Sequence, residues 1–370
     1  MLFTIIIFIL ILGVLVFVHE LGHFLTARKA GIKVEEFGLG FPPRLFGIKK
    51  GETLYSVNLI PLGGFVRIKG EDGSLREEPD SFGHQPFYVK GLVLAAGVIM
   101  NVILAYVLLS IGYMVGLPTG LASEDLNSPN VSNVQLRIVG VKDGSVAQAA
   151  SLTEGDVILG VDGNNFFRQD EFSEYIKNHQ DQLISLKIQK LAGDVLDLQL
   201  QPALTKDSGE NKILGVNVLQ TGLVRYGFFA SWYHGLLSTG NLLARIVMAF
   251  YGLLAGLFIG SGMSAELSGP VGVAMLTGQA VNLGFSYVLQ FAAMLSLNLA
   301  VINFFPFPAL DGGRFLFAVI EKIRRKPNNQ NMENIVHNLG FSVLMILIVL
   351  ITYRDINMLT GFVDKIKNLF

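Results

Sequence analysis

The stretch LFTIIIFILILGVLVFVHELGHF, residues Leu2 to Phe24, decides how the rest of the chain is read. Leu2 to Val18 are 17 consecutive uncharged, almost wholly apolar positions, close to the roughly 20 that a helix needs to cross a hydrocarbon core. A secretory signal peptide is the competing reading, but no basic residue precedes the run and no small-residue cleavage site follows it, so a retained span is expected. The run passes without a break into His19-Glu20-Leu21-Gly22-His23. On a helix, positions i and i+4 share a face, which lets His19 and His23 present both imidazoles to one metal ion with Glu20 beside it. This spacing is a zinc hydrolase signature. The metal lowers the pKa of its water toward about 7, and Glu20 can take the proton and return it to the leaving amine. Two His and a Glu inside a membrane span are costly unless they are paired or line a wet cavity, so a functional role explains them better than helix packing.

Composition agrees with a lipid environment. Of 370 residues 15% are charged, against roughly 25% in average soluble domains, while 51% are hydrophobic and the mean hydropathy is +0.51. A purely cytosolic enzyme is therefore not expected. A net charge of -1 with no basic block leaves no electrostatic footprint for nucleic acid. The absence of cysteine excludes disulfides, thiolate nucleophiles and sulfur-ligated metals, so any metal sits on His, Asp or Glu.

Further span candidates are Gly91 to Leu117, Phe285 to about Leu310, and Ile335 to Tyr353, giving four with the first, which runs from about residue 2 to 27. Arg28 and Lys29, Lys90, and the group Lys322, Arg324, Arg325 and Lys326 fall on the same side if all four cross. The positive-inside rule makes that side cytoplasmic and puts both termini outside. The tail Arg354 to Phe370, with Arg354, Lys365 and Lys367, argues mildly against this. Gly227 to Gly260 is apolar enough to insert, but one more crossing would turn the basic loop at 322 to 326 outward. It is read as a helix of about 227–260 on the outer interface, or as a hairpin that does not cross.

Two regions lie between spans. In 33–70, Leu54 to Ile60 and Phe65 to Lys69 read as strands of a hairpin, and Leu39 to Phe46 is too apolar for a solvated linker, which suggests a sheet dipping into the membrane. Residues 120–222 read as a soluble α/β domain between membrane domains at 1–119 and 223–370. Its strand-like runs are Gln135 to Val141, Asp156 to Val161, Leu183 to Gln189, Val195 to Leu200 and Ile213 to Val218, with a helix at Asp170 to Asn178. The segment Gly144 to Gly163 resembles a PDZ domain, a module that binds peptides by strand addition; a passive spacer that limits access is the equal alternative.

A catalytic zinc needs a third protein ligand and an open fourth position. The other polar anomaly among the spans is Asn303-Phe-Phe-Pro-Phe-Pro-Ala-Leu-Asp311-Gly-Gly-Arg314. Pro306 and Pro308 break the helix, Gly312 and Gly313 admit close backbone approach, and Asp311 is the carboxylate in reach. Two neutral imidazoles, one carboxylate and a hydroxide balance the charge of Zn2+, which suits a low-dielectric pocket. A solvated Asp capping a helix is the other reading of Asp311. The Asn303 amide can donate to a substrate carbonyl or a developing oxyanion, or else bond helix to helix. His84, His179, His234 and His337 occur singly and are read as surface or packing residues.

Together these motifs resemble the site-2 protease family of intramembrane zinc metalloproteases, in particular the bacterial regulator-of-sigma type with a single PDZ domain. The likeness is carried by His19 to Phe24, Ile60-Pro-Leu-Gly-Gly-Phe-Val66, Ala95-Ala-Gly97 with Asn101, the PDZ-like segment, Leu267-Ser-Gly-Pro270, and Asn303 through Gly313. Val98 stands where the family has a proline, and Pro42 replaces a glycine of its Gly-Phe-Gly loop. The resemblance implies a polytopic α-helical membrane protein with four transmembrane helices, a membrane-dipping β-hairpin and one extracytoplasmic PDZ-like α/β domain. It implies Zn2+ on His19, His23 and Asp311, Glu20 as catalytic base, and substrate contacts at Asn303, Gly63, Gly64, Phe65 and Val66. It further implies a multi-pass protein of the bacterial inner membrane, with its site toward the cytoplasm. Its substrates would be single-span membrane proteins, such as an anti-sigma factor or a signal-peptide remnant, already trimmed by an upstream site-1-type protease. A catalytically inactive membrane-anchored PDZ receptor is the rival, and a metal transporter a weaker third, since spans two and four supply few polar residues.

Overall fold

The computed structural model describes residues 2–122, 124–166, 168–191, 193–204, 213–259 and 268–360. In chain order its elements are α1 (Leu2–Lys29), β1 (Val34–Lys50), β2 (Thr53–Ile68), α2 (Phe87–Val115), β3 (Leu117–Gly120), β4 (Val131–Val141), α3 (Val146–Ala149), β5 (Val157–Val161), α4 (Gln169–Asn178), β6 (Ile184–Gln189), β7 (Val195–Leu200), β8 (Val216–Val224), α5 (Phe228–Ile259), α6 (Pro270–Leu283), α7 (Phe285–Phe304), α8 (Asp311–Arg324) and α9 (Gln330–Thr360). The chain forms two compact units, one of Met1–Leu109, Gly235–Gly278 and Phe291–Phe370, the other of Ser110–His234 and Gln279–Gln290.

In the first unit the apolar run becomes α1 because a helix satisfies every backbone polar group within its own segment, whatever surrounds it. It stops at Gly31, whose φ of +76° is the left-handed turn that ends a helix, and Ile32 N–H donates to Ala27 O at 2.9 Å. Ile32 is then buried with Phe24, Ala27, Val34, Phe37, Ile68, Phe82, Val93 and Leu94, a core that joins the end of α1 to the β1–β2 sheet and α2. Helices α1 and α2 touch closely: a Cβ on Gly22 would stand 2.4 Å from Ala96 O and 2.9 Å from Met100 Cγ.

The β1–β2 hairpin turns at Gly51, where φ is +63°. Its pairing corrects one expectation. Leu54 to Ile60 and Phe65 to Lys69 are not partners of one another; residues 36–39 have neighbours on both sides, Arg67 to Gly64 on one and Leu54 to Val57 on the other. The physical reason is that each long strand bends on itself, β1 around Gly40 (φ +80°) and β2 around Gly63 (φ +119°). Residues 64–67 thereby become an outer rung, paired on one side only within this sheet among the described residues.

The second unit carries a six-stranded antiparallel sheet in the order β3-β8-β4-β5-β6-β7. Leu136, Ile138, Ile158, Leu186, Ile188 and Val218 form its core under the amphipathic α4, which contributes Phe172 and Ile176. The first four strand runs read from alternation correspond to β4 to β7, whereas Ile213 to Val218 overlaps β8 only at 216–218, the strand continuing instead to Val224. Strand β3 is an addition that four residues after a long apolar helix do not announce.

Among the described residues five helices are long and apolar enough to cross a membrane: Leu2–Lys29, Phe87–Val115, Phe228–Gly256, Phe285–Phe304 and Gln330–Asn357. The sequence count favours four and sets the third of these apart. That segment is one continuous helix and not a hairpin, since its 32 residues contain glycines but no proline to break it. The span expected to reach Leu310 ends instead at Phe304. Leu267 of the Leu267 to Pro270 stretch, and residues 361–370 of the C-terminal tail, lie outside the described residues.

Close contact at Gly22 leads to a direct expectation. Gly22→Leu is overpacked against α2 backbone and destabilises the protein by at least about 1–3 kcal/mol, read as a lowered thermal midpoint in detergent. Gly13→Ala, whose Cβ meets nothing within 4 Å, leaves the midpoint unchanged or slightly raised.

Candidate metal centre

His19 and His23 lie one turn apart on α1 and are both buried. Their rings meet edge to face with centroids 4.9 Å apart. The Nε2 atoms are 3.3 Å from each other, and Asp311 Oδ2 is 2.9 Å from His19 Nε2 and 3.3 Å from His23 Nε2. One ligand atom from each of the three residues falls within 4.8 Å of the others. Tetrahedral zinc with ligands at about 2.0–2.1 Å places neighbouring donors about 3.3 Å apart; two of the three separations match this and the 2.9 Å one needs only a small opening, so the donor set fits the ion.

Asp311 arrives from the far end of the chain through a tightly built turn. Pro306 and Pro308 end α7 and hold the connection short. Asp311 then opens α8, followed by buried Gly312 and Gly313. A Cβ on Gly312 would stand 2.3 Å from Phe304 O, and one on Gly313 2.3 Å from Phe307 O, so only glycine lets α8 begin directly under the turn. Ala309, at φ +81°, donates its N–H to His337 Nδ1 at 2.9 Å, and Pro308 rests against Gly340, both on α9. Farther along α8, Arg314 pairs with Glu71, and Arg76 donates to Glu321 at 2.7 Å, tying α8 to the 71–76 segment. Asp311 Oδ2 faces the Nε2 atoms of both imidazoles, the position a carboxylate donor to a shared cation would take.

Helix α2 forms the wall behind the rings. A Cβ on Gly97 would fall 2.4 Å from His23 Nε2 and 2.7 Å from His19 Cε1, so the side chain is absent where the imidazoles need the space. One turn earlier, Val93 O accepts from His23 Nδ1 at 2.8 Å, which leaves Nε2 with its lone pair free for a metal.

A cavity of about 340 Å³ opens beside His19 and Asp311. Glu20, Asn303, Gly63 and Gly64 line it with His19 and Asp311, and Leu12 and Val16 supply an apolar wall. Asn303 Nδ2 stands 3.3 Å from His19 Nε2. Gly63 and Gly64 are thus brought to the site, and neither tolerates a side chain: Gly63 has φ +119°, and a Cβ on Gly64 would be 2.9 Å from Gly38 O. Phe65 and Val66 do not line the cavity. The Phe65 ring covers Gly38, and Val66 reaches the site only through its backbone amide, which bonds the Glu20 carboxyl.

Three participants escape sequence reading. Val93 acts through a carbonyl that every residue has. Gly97 is singled out only as part of a family likeness. His337, read as a packing residue, supports the turn before Asp311, and a lone histidine carries no signal of that. The other single histidines stay in local roles: His84 and His179 bond nearby backbone carbonyls, and His234 stacks on Tyr226.

The model of peptidase family M50 matches residues 7–347. The chain is 31% identical to the regulator of sigma-W protease RasP of Bacillus subtilis, over 96% of this chain and 99% of that protein. It is 33% identical to a putative zinc metalloprotease of Clostridium perfringens, over 94% and 97% of the two chains, and 30% identical to another of Agrobacterium fabrum, over 96% of each.

Crowding at Gly97 can be tested without substrate. Gly97→Ala displaces the imidazoles, and the zinc content of the purified protein falls from about one per chain by at least ~10-fold, the range expected when the support of a ligand is lost; elemental analysis after detergent purification is the measurement.

Proposed function

From the premise that the chain belongs to peptidase family M50 and is an integral-membrane zinc metalloprotease, we propose that it hydrolyses peptide bonds within or next to the transmembrane segment of single-span membrane proteins. The observation that carries this reading is the convergence of His19, His23 and Asp311 at an otherwise apolar helix, beside a cavity bordered by a strand whose outer edge is unpaired within its sheet among the described residues.

His19, His23 and Asp311 would hold the zinc. The ion supplies Lewis-acid charge that acidifies water at neutral pH and polarises a carbonyl. Glu20 sits one residue after His19 with its carboxyl in the cavity, where it accepts a proton from water at a carboxylate oxygen and delivers it to the departing amide nitrogen. The Asn303 amide donates to the substrate carbonyl oxygen as charge builds there, and does so without adding a buried charge of its own. Leu12 and Val16 keep bulk water from that side of the cavity.

A helical substrate hides its backbone carbonyls in its own hydrogen bonds, so it must unwind before attack. Residues 64–67 offer an outer rung to which an extended segment can pair, with Gly63 and Gly64 admitting it close to Glu20. The domain between α2 and α5 is read as a PDZ domain that keeps bulky ectodomains out. The substrates are then proteins already shortened by another protease, anti-sigma factors or signal-peptide remnants among them; one relative bears the name regulator of sigma-W protease.

In the membrane, both termini and this domain are placed outside and the 30–86 and 325–329 segments in the cytoplasm, by the basic residues that flank them. Helix α5 fits this scheme if α5 and α6 enter and leave from the same side, a reading supported by the start of α5 and the end of α6 both belonging to the second unit.

Two measurements test this. Glu20→Gln retains about one zinc per chain yet cleaves a model single-span substrate at least ~10²-fold more slowly, as removal of a general base requires; equal rates would reject the mechanism. Because the chain has no cysteine, single replacements report sidedness cleanly. An impermeant maleimide labels Asp143→Cys on cells with an opened outer layer and labels Lys326→Cys only once the inner membrane is breached, and the reverse pattern would invert the topology.

A further inference from the structure

Helix α2 meets the metal centre at three positions four residues apart. Val93 supplies an acceptor to His23 and Gly97 supplies room for both rings. The third position is Asn101, which is fully buried and stands with its amide 3.1 Å from His19 Nδ1. Nothing in the hydrolytic scheme uses it.

The chemistry of His19 determines what that amide must do. His19 turns Nε2 toward Asp311, at 2.9 Å. A neutral imidazole that presents the Nε2 lone pair carries its hydrogen on Nδ1, so the atom facing Nδ1 must be an acceptor. For His23 the same requirement is met by the Val93 carbonyl at 2.8 Å. For His19 the facing group is the Asn101 amide, and its Oδ1 is buried with no hydrogen-bond partner. A half-turn about Cβ–Cγ exchanges the two ends of an amide. That turn gives Nδ1–H an acceptor and the buried oxygen a donor at once, whereas nitrogen against Nδ1–H would satisfy neither.

A buried asparagine in an apolar helix can also serve helix packing. Here the neighbouring hydroxyl, Ser296 on α7, donates to the Asn101 backbone carbonyl at 2.8 Å and leaves the amide aside. The side chain is therefore spent on His19.

We propose that Asn101 is a positioning residue of the metal centre: its amide oxygen accepts from His19 Nδ1–H, fixing the ring's orientation and holding the Nε2 lone pair toward the zinc. Together with Val93 it makes one face of α2 the support that puts both imidazoles in the same tautomer. This rests on the reading of His19, His23 and Asp311 as zinc ligands.

The test is a zinc titration against a competing chelator on the full-length protein in detergent, which needs no substrate. Asn101→Leu keeps the volume and removes the acceptor; its zinc affinity falls by about 10–100-fold. Asn101→Asp keeps an acceptor and loses the donor, and stays within about threefold of the wild type or binds more tightly. Ser296→Ala removes the neighbouring buried hydrogen bond and leaves affinity unchanged. Asn101→Ala replaces the leucine variant if that one does not fold. Wild-type affinity in the acceptor-less variant overturns the proposal. So does an aspartate variant as weak as the leucine one, since the amide would then be acting as a donor, and so does an equal loss in Ser296→Ala, which would mean packing alone. Asp311→Asn separates the two levels of inference: if it binds zinc as the wild type does, the ligand assignment itself fails, whereas loss there with full binding in Asn101→Leu removes only the positioning role.

Discussion

Two imidazoles and a carboxylate contributed from positions 292 residues apart must share one point on an apolar helix, and the remainder of the first unit is arranged to permit it. An unpaired carboxylate in such surroundings costs several kcal/mol at least. It persists only beside groups that compensate its charge, and a dication held by two neutral imidazoles, one carboxylate and a hydroxide would do so with no net charge left over. That balance would account for polar residues clustered at one level of α1 while the run before them is almost wholly apolar.

Bringing the donors together requires backbone to approach closer than side chains normally allow. Glycine appears at each such contact: Gly22 where α1 meets α2, Gly97 behind both rings, Gly312 and Gly313 under the turn that delivers Asp311, and Gly340 where α9 supports that turn. The turn is braced from another direction by His337, whose Nδ1 accepts from Ala309. Orientation of the rings is a separate problem from their proximity, because each imidazole can offer either nitrogen. On α2 the Val93 carbonyl resolves it for His23 and the Asn101 amide is proposed to do so for His19, so a helix that contributes no ligand would be as much a part of the centre as those that do.

The proposed substrate access rests on the same arrangement. The bend of β2 at Gly63 turns residues 64–67 into an outer rung, so Gly63, Gly64 and Glu20 border one cavity. A sheet with straight, simply paired strands would bury that edge against its partner. The strands bend because Gly40 and Gly63 adopt positive φ, and the hairpin would thereby join the proposed backbone recognition to the chemistry.

Much of this was legible in the residues themselves. His19, Glu20 and His23 are coupled by helical periodicity, a short-range property. Apolar run lengths mark the spans, and Asp311 stands out because carboxylates are rare at that depth. Periodicity and composition also marked the strands of the second unit. They did not distinguish the fate of residues 228–259, because a helix that crosses and one that lies at an interface have similar composition, nor did they reveal that Leu54 to Ile60 and Phe65 to Lys69 flank a third segment instead of each other. Local sequence thus determined which side chains could bind a metal and which segments could enter a membrane. Only the tertiary structure brought Val93, Gly97, Asn101 and His337 around the same centre, because what they offer is a carbonyl, an empty space, an amide and a ring nitrogen that become meaningful only against a partner distant in the chain.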